Sequence, residues 1–152
     1  MSERNYDLLK IENQLCFPLY ACSREVIKQY KPFLDPLDLT YTQYITMMVL
    51  WETQTLTAKE LGLRLFLDSG TLTPLLKKLE AKGLVTRSRC QSDERNLIVT
   101  VTPAGLALRE QAATVPAQVG RCTHLSTEEA AELYRILYKI LDQHSDKEKG
   151  DA

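Results

Sequence analysis

The chain has 152 residues, 44% apolar and 26% charged, with a net charge of −1. That is the range of one ordinary folded domain, and it excludes a disordered or fibrous protein. No segment approaches the about eighteen uncharged apolar residues of a bilayer span, and Met1 to Asp7 carries no apolar run of the kind that opens a signal peptide.

The expectation is a cytoplasmic protein with no membrane association, whose four cysteines (Cys16, Cys22, Cys90 and Cys122) are reduced at rest. None has Cys-x-x-Cys spacing, and Cys122 with nearby His124 falls well short of four ligands. Neither a metal nor a cofactor is therefore expected. Charge is unevenly spread. Between Arg64 and Arg95 seven basic residues stand against four acidic ones, a net +3 that leaves −4 on the remainder. A basic centre in an acidic chain suits a local contact with an anionic polymer.

In chain order, Leu8, Ile11, Leu15, Leu19, Cys22 and Val26 recur at three- and four-residue steps, the packing stripe of a long first helix. Asn13 suits its N-cap, which would set Pro18 near the first turn, and Pro32 and Pro36 close the element. A second helix is predicted from about Thr42 to Trp51. Thr57-Ala58-Lys59-Glu60 is a capping box that opens a short helix with Leu61 and Leu65 inward. After the Leu67–Gly70 connection, Leu72, Leu75, Leu76 and Leu79 form an i, i+3, i+4, i+7 face, and Gly83 stops that helix. Two β-branched runs, Leu84–Arg87 and Leu97–Val101, flank the polar tip Cys90–Asn96. A helix from about Pro103 follows, capped by Thr102. A second capping box, Ser126-Thr127-Glu128-Glu129, starts a last helix with Leu133, Ile136, Leu137, Ile140 and Leu141 on one face. Asp146 to Ala152 reads as a frayed tail.

The expected fold is mainly α with a small β-wing: a winged helix-turn-helix over residues 41–102. The helices of 8–32 and 103–143 have no sheet to cover and are expected to form a dimerisation region. If the leucines of the second helix-turn-helix segment face inward, Ser69, Thr71, Thr73, Pro74 and Lys77 remain outside, where a helix lying in a major groove reads bases. Lys77 and Lys78 suit phosphate; Arg87 and Arg89 lie near the wing base, and Arg95 at its tip suits a minor groove, with Asp93 placed to orient it. The expected partner is double-stranded operator DNA. The bland alternative is an amphipathic helix pair with a solvated β-turn.

The run Leu65 to Glu80, followed by Gly83-Leu84-Val85-Thr86-Arg87 and Ser92-Asp93-Glu94-Arg95, resembles the core of the MarR family of bacterial transcription repressors. Leu8 to Tyr20, with Asn13-Gln14-Leu15-Cys16-Phe17 at its centre, and Leu39 to Tyr44 resemble its organic hydroperoxide resistance regulators more specifically. The resemblance implies a homodimer whose Cys16 thiolate attacks an organic hydroperoxide and becomes sulfenic acid. Tyr30 and Tyr41 match the tyrosines that hold the thiolate. These groups are expected to come from different subunits, which would place the sensor at the dimer interface. A reactive cysteine must be present as thiolate, and a helix N-terminus with phenol donors favours that form. Phe17 and Tyr20 are candidate pocket residues, and Phe17, Leu19 and Ile45 would favour organic over hydrogen peroxide. Pro18 departs from the family pattern.

The resemblance also implies resolution of the sulfenic acid, by Cys122 of the other subunit or by a small thiol, with Cys122 preferred. Cys22 reads as a packing residue, and Cys90 as an exposed wing thiol with no group to lower its pKa. Two other functions stay open: a MarR-type repressor with a small lipophilic or phenolic ligand among Tyr20, Tyr30, Tyr41 and Tyr44, and a thiol peroxidase. The wing argues for a regulator over an enzyme, because a peroxidase needs no groove-reading ribbon.

Overall fold

The computed structural model describes residues 6–93 and 96–148, with 143–148 as backbone only. Two 3₁₀ turns, Asp7–Leu9 and Ile11–Asn13, lead into α1 (Cys16–Leu34). The N-terminal stripe is therefore not one helix. Asn13 ends a 3₁₀ turn and donates its side-chain amide to the Asp7 carbonyl at 2.7 Å, so it caps nothing. Proline explains the shift. A helix capped at Asn13 would need a hydrogen bond from the residue-18 nitrogen, whereas a start at Cys16 puts Pro18 among the first-turn positions whose donors go unused. Pro32 also lies inside α1, which runs two residues past it to Leu34 before the 3₁₀ turn Asp35–Leu37, with Pro36 in it, ends the element.

Helix α2 (Tyr41–Thr53) starts one residue before the predicted Thr42. The Thr40 hydroxyl accepts from the Gln43 backbone N–H, and Gln43 Oε1 accepts from the Thr40 N–H, a capping box that sets the helix start one residue early. Strand β1 (Thr55–Thr57) is too short to show alternation and was unexpected. It leads into α3 (Ala58–Leu65), whose Thr57–Glu60 capping box forms as predicted. Helix α4 (Ser69–Ala81) buries Leu72, Leu75, Leu76 and Leu79 as expected. Its end is sealed by Gly83 at φ +73°, a left-handed position where a side chain would be strained, with Leu84 N–H donating to the Leu79 carbonyl at 3.1 Å.

Strands β2 (Val85–Arg89) and β3 (Leu97–Val101) form the wing, and β1 completes an antiparallel sheet in the order β1-β3-β2. Val99 of the central strand pairs with Leu56 on one side and Arg87 on the other. Thr102 caps α5 (Pro103–Ala112) by accepting from Gly105 N–H. The helix predicted from about Pro103 ends at Ala112, and a short α6 (Val115–Gly120) follows. The last helix, α7 (Thr127–Glu148), runs three residues into the segment expected to fray, and 149–152 lie outside the described residues.

The chain divides after Val119 into two compact units. The core lies in the first, where Met47, Leu50, Leu61, Leu76, Leu79, Val85 and Val99 are fully buried. Lys82, just past α4, donates to the Asp38 backbone carbonyl and to Gln43 Oε1 at 3.3 Å, and pairs with the Asp38 carboxylate at 3.1 Å. It thereby ties the end of α4 to the start of α2. The second unit holds α7, which leaves Leu133, Tyr134, Ile136, Tyr138 and Ile140 exposed on the protomer. Among the described residues no helix is long and apolar enough to cross a membrane.

Candidate nucleic-acid interface and redox site

Asp68 caps α4 by accepting the Thr71 N–H at 2.7 Å. That bond, then the Thr71 hydroxyl, holds the Asp68 carboxyl below its usual range and keeps it charged at the helix entrance. With the leucines inward, Ser69, Thr71, Thr73, Pro74, Lys77 and Lys78 are all exposed, as the helical pattern required. Pro74 lies inside the helix and removes the donor that would meet the Gly70 carbonyl on this outer face.

The wing arginines do not behave alike. Arg87 donates from Nε and Nη2 to Glu80 Oε2 at 3.0 and 2.8 Å, while its backbone N–H donates to Glu80 Oε1 at 3.2 Å. The Arg87 guanidinium holds the Glu80 carboxyl below its ordinary value. Arg87 thus braces β2 against α4, a role its place in the sequence did not reveal. Arg89, at the end of β2, is exposed. At the tip Asp93 accepts from the Asn96 side-chain amide at 3.2 Å; Arg95 and its expected pairing with Asp93 lie outside the described residues.

Cys90 corrects an expectation. Its sulfur shares a hydrogen bond with the Ser92 hydroxyl at 3.0 Å, and that hydroxyl, with the Ser92 and Asp93 N–H groups, lowers its pKa. Cys22 is a second correction: the apolar stripe suggested a packed thiol, but it is exposed on the protomer.

Cys16 is exposed and is the first residue of α1. Phe17 and Tyr20 beside it are also exposed, and Tyr20 accepts from Arg24 at 3.2 Å while the same guanidinium sits 5.5 Å above its ring. Tyr30 and Tyr41 come together, with ring centroids 4.8 Å apart. Tyr44 makes a third ring, 5.9 Å from Tyr30 and 2% exposed. Burial raises the pKa of all three phenols, so each remains an O–H donor at neutral pH. Cys16 and Tyr30 lie at opposite ends of one helix, about 21 Å apart at ~1.5 Å rise per residue. No side chain bridges that span within one chain. Cys122 is half-buried in the second unit.

Comparison with known proteins gives these features a context. The model of the family described as "Transcriptional regulator SarA/Rot" matches residues 28–111. The organic hydroperoxide resistance transcriptional regulator of Bacillus subtilis (strain 168) is 48% identical over 140 residues, covering 92% of this chain and 95% of that protein. Reduced AbfR bound to DNA superposes with a TM-score of 0.72 at 36% identity, over 92% of this chain and 98% of that one. The same protein, from Staphylococcus epidermidis, is also solved with its disulfide formed, at TM-score 0.61, 35% identity and coverage of 93% and 99%. A MarR mutant from E. coli complexed with operator DNA matches at TM-score 0.77 and 26% identity, over 91% of this chain and 99% of that one. With this identity over nearly its full length and a winged helix-turn-helix to match, the chain belongs to the MarR family of transcription regulators, in its organic hydroperoxide resistance branch.

Proposed function

We propose that this protein is a homodimeric repressor that holds operator DNA while reduced and releases it after an organic hydroperoxide oxidises Cys16. The observation that carries the reading is the separation along α1: an exposed cysteine at one end and the Tyr30–Tyr41 pair at the other, too far apart to meet in one chain. A two-fold dimer with α1 of one protomer reversed against its partner brings each Cys16 to the tyrosines of the other subunit. The exposed apolar residues along the same stretch, Leu8, Ile11, Leu15, Phe17 and Leu19, supply a face for that contact. They support the assignment of 8–32 to dimerisation, as the exposed face of α7 does for 103–143. The phenols, kept protonated by burial, then donate to the sulfur.

In the reaction the Cys16 thiolate attacks the terminal peroxide oxygen, the O–O bond breaks, and the alcohol leaves with Cys16 as sulfenic acid. A second thiol, assigned to Cys122 of the other subunit, displaces water to form the disulfide. Bridged Cα atoms lie within about 7 Å, so this bond constrains the two chains and biases them away from the DNA-bound arrangement. The solved reduced, DNA-bound and disulfide forms of AbfR are in keeping with such a cycle. Residues 41–102 carry the DNA contacts: Ser69, Thr71, Thr73 and Pro74 toward bases, Lys77 and Lys78 toward phosphate, Arg89 and Arg95 from the wing. Arg87 acts through the wing brace.

The test is operator binding by wild type and Cys16→Ser with and without cumene hydroperoxide. Wild type loses binding and Cys16→Ser retains it. Release of Cys16→Ser by the oxidant would overturn the thiol mechanism and favour a ligand or another sulfur. A Cys122→Ser chain that no longer forms the dimer-sized disulfide assigns the resolving thiol.

A further inference from the structure

The tyrosine cluster does not end at Tyr44. Tyr41, Tyr44 and Trp51 are carried by α2, and Tyr44 and Trp51, seven residues apart, share one face of it. The Tyr44 and Trp51 rings meet edge to face at 6.3 Å, so an unbroken aromatic row runs Tyr41, Tyr30, Tyr44, Trp51 over about 15 Å of helix. At its far end the indole N–H of Trp51 donates to the Gly105 carbonyl at 2.7 Å, a bond between residues 54 apart in sequence.

Gly105 is a junction. Its N–H donates to the Thr102 hydroxyl at 3.0 Å, and that hydroxyl donates to the Gly83 carbonyl at 2.7 Å. The Thr102 N–H meets the Leu84 carbonyl at 3.0 Å. A Cβ at position 105 would lie 2.3 Å from the Leu84 carbonyl oxygen and 2.7 Å from Val101 Cγ2. The first turn of α5 is thus seated on the residues that end α4 and begin and end the wing. One hydrogen bond joins that seat to the aromatic row.

We propose that Trp51 is a positioning residue for the redox response: through Tyr44 it couples the tyrosines that face the sensor to the Gly105 junction, so displacement of Tyr30 and Tyr41 on oxidation is passed to the wing and α4. The inference rests on the Cys16 reading above. It adds to it the route inside the protomer. Packed interiors shift between discrete arrangements rather than deform smoothly, and a row of large rings ending in one directional bond is suited to such a shift. If the row served only to fill the core, losing the indole donor would affect reduced and oxidised protein equally.

Trp51 is the one tryptophan of the chain, so its emission reports the joint directly. The first measurement is tryptophan fluorescence of the full-length dimer before and after cumene hydroperoxide, for wild type and Cys16→Ser. The inference expects an emission shift in wild type alone; oxidation and DNA release with unchanged emission would overturn it. The second is Trp51→Phe, which keeps a ring and removes the donor. It is paired with incorporation of benzothienylalanine at position 51, which removes only the N–H and keeps the shape should Trp51→Phe fold poorly. In both, Cys16 oxidises at the wild-type rate, as read by thiol trapping and mass spectrometry. The oxidised-to-reduced ratio of operator Kd falls about fivefold or more relative to wild type. An unchanged ratio, whether or not both Kd values move together, overturns the coupling and leaves Trp51 as packing. Wild type that oxidises at Cys16 without releasing DNA overturns the parent reading instead, and the coupling with it.

Discussion

Replacing Gly105 by alanine adds a single methyl group where the structure has no room. Its Cβ would stand 2.3 Å from the Leu84 carbonyl oxygen, 3.2 Å from the Leu84 carbonyl carbon and 2.7 Å from Val101 Cγ2. Ordinary contact is about 3.5 Å, so α5 must retreat by roughly 1 Å from backbone that cannot rotate aside. Overpacking of this kind costs ~1–3 kcal/mol. The displaced Gly105 carbonyl also loses the Trp51 donor, about 1 kcal/mol more, against a helix-propensity gain of up to ~1 kcal/mol. The net is a destabilisation of about 1–3 kcal/mol, or roughly 2–12 °C in Tm for a chain of this size. Gly120 provides the control. It lies in α6 with nothing within 4 Å of its Cβ position, so Gly120→Ala leaves Tm unchanged or slightly raised. The assay is thermal unfolding at one fixed protomer concentration, since the proposed dimer would make Tm concentration-dependent. A Gly105→Ala melting temperature at or above wild type would refute the reasoning.

Two further outcomes concern α4 and its cap. Asp68 has a lowered pKa through its cap bonds to Thr71, so its stabilising contribution is fully present above the unfolded carboxyl value near 3.8 and is lost as pH falls through the lower folded value. Asp68→Asn keeps the cap but flattens this acid limb in urea midpoints measured against pH, and an unchanged limb would count against the cap. Lys77→Ala weakens binding by a similar factor on operator and unrelated DNA and lowers the slope of log Kd against log salt by about 1; a loss confined to operator DNA would instead make Lys77 a base reader.

Much of the helix-turn-helix was legible because its signals are local. The leucines of α4, the Gly83 stop and the Thr57–Glu60 box each act within a turn or two, and the structure follows them. The misses share a different cause. Strand β1 exists because Leu56 pairs with Val99 across 43 positions. Arg87 was read by its charge, yet Glu80 on α4 claims that charge through tertiary contact. Cys90 was legible only by its place in the wing, while its environment is made by how the wing tip turns Ser92 toward it. The cysteine and its tyrosines were found by resemblance; the separation of Cys16 from Tyr30 along α1 needed the helix boundary at Cys16.

That separation has a consequence for genetics. In the proposed dimer, with Cys16 at one end of α1 and Tyr30 toward the other against Tyr41 of α2, each sensing centre would be the joint property of two alleles. A chain lacking Cys16 and a chain lacking Tyr30 and Tyr41 would each be blind as homodimers. Co-expressed, they would regain one complete centre in every mixed dimer, built from the cysteine of one parent and the phenols of the other. Interallelic complementation would then divide the roles of these residues in a living cell without any structure of the dimer.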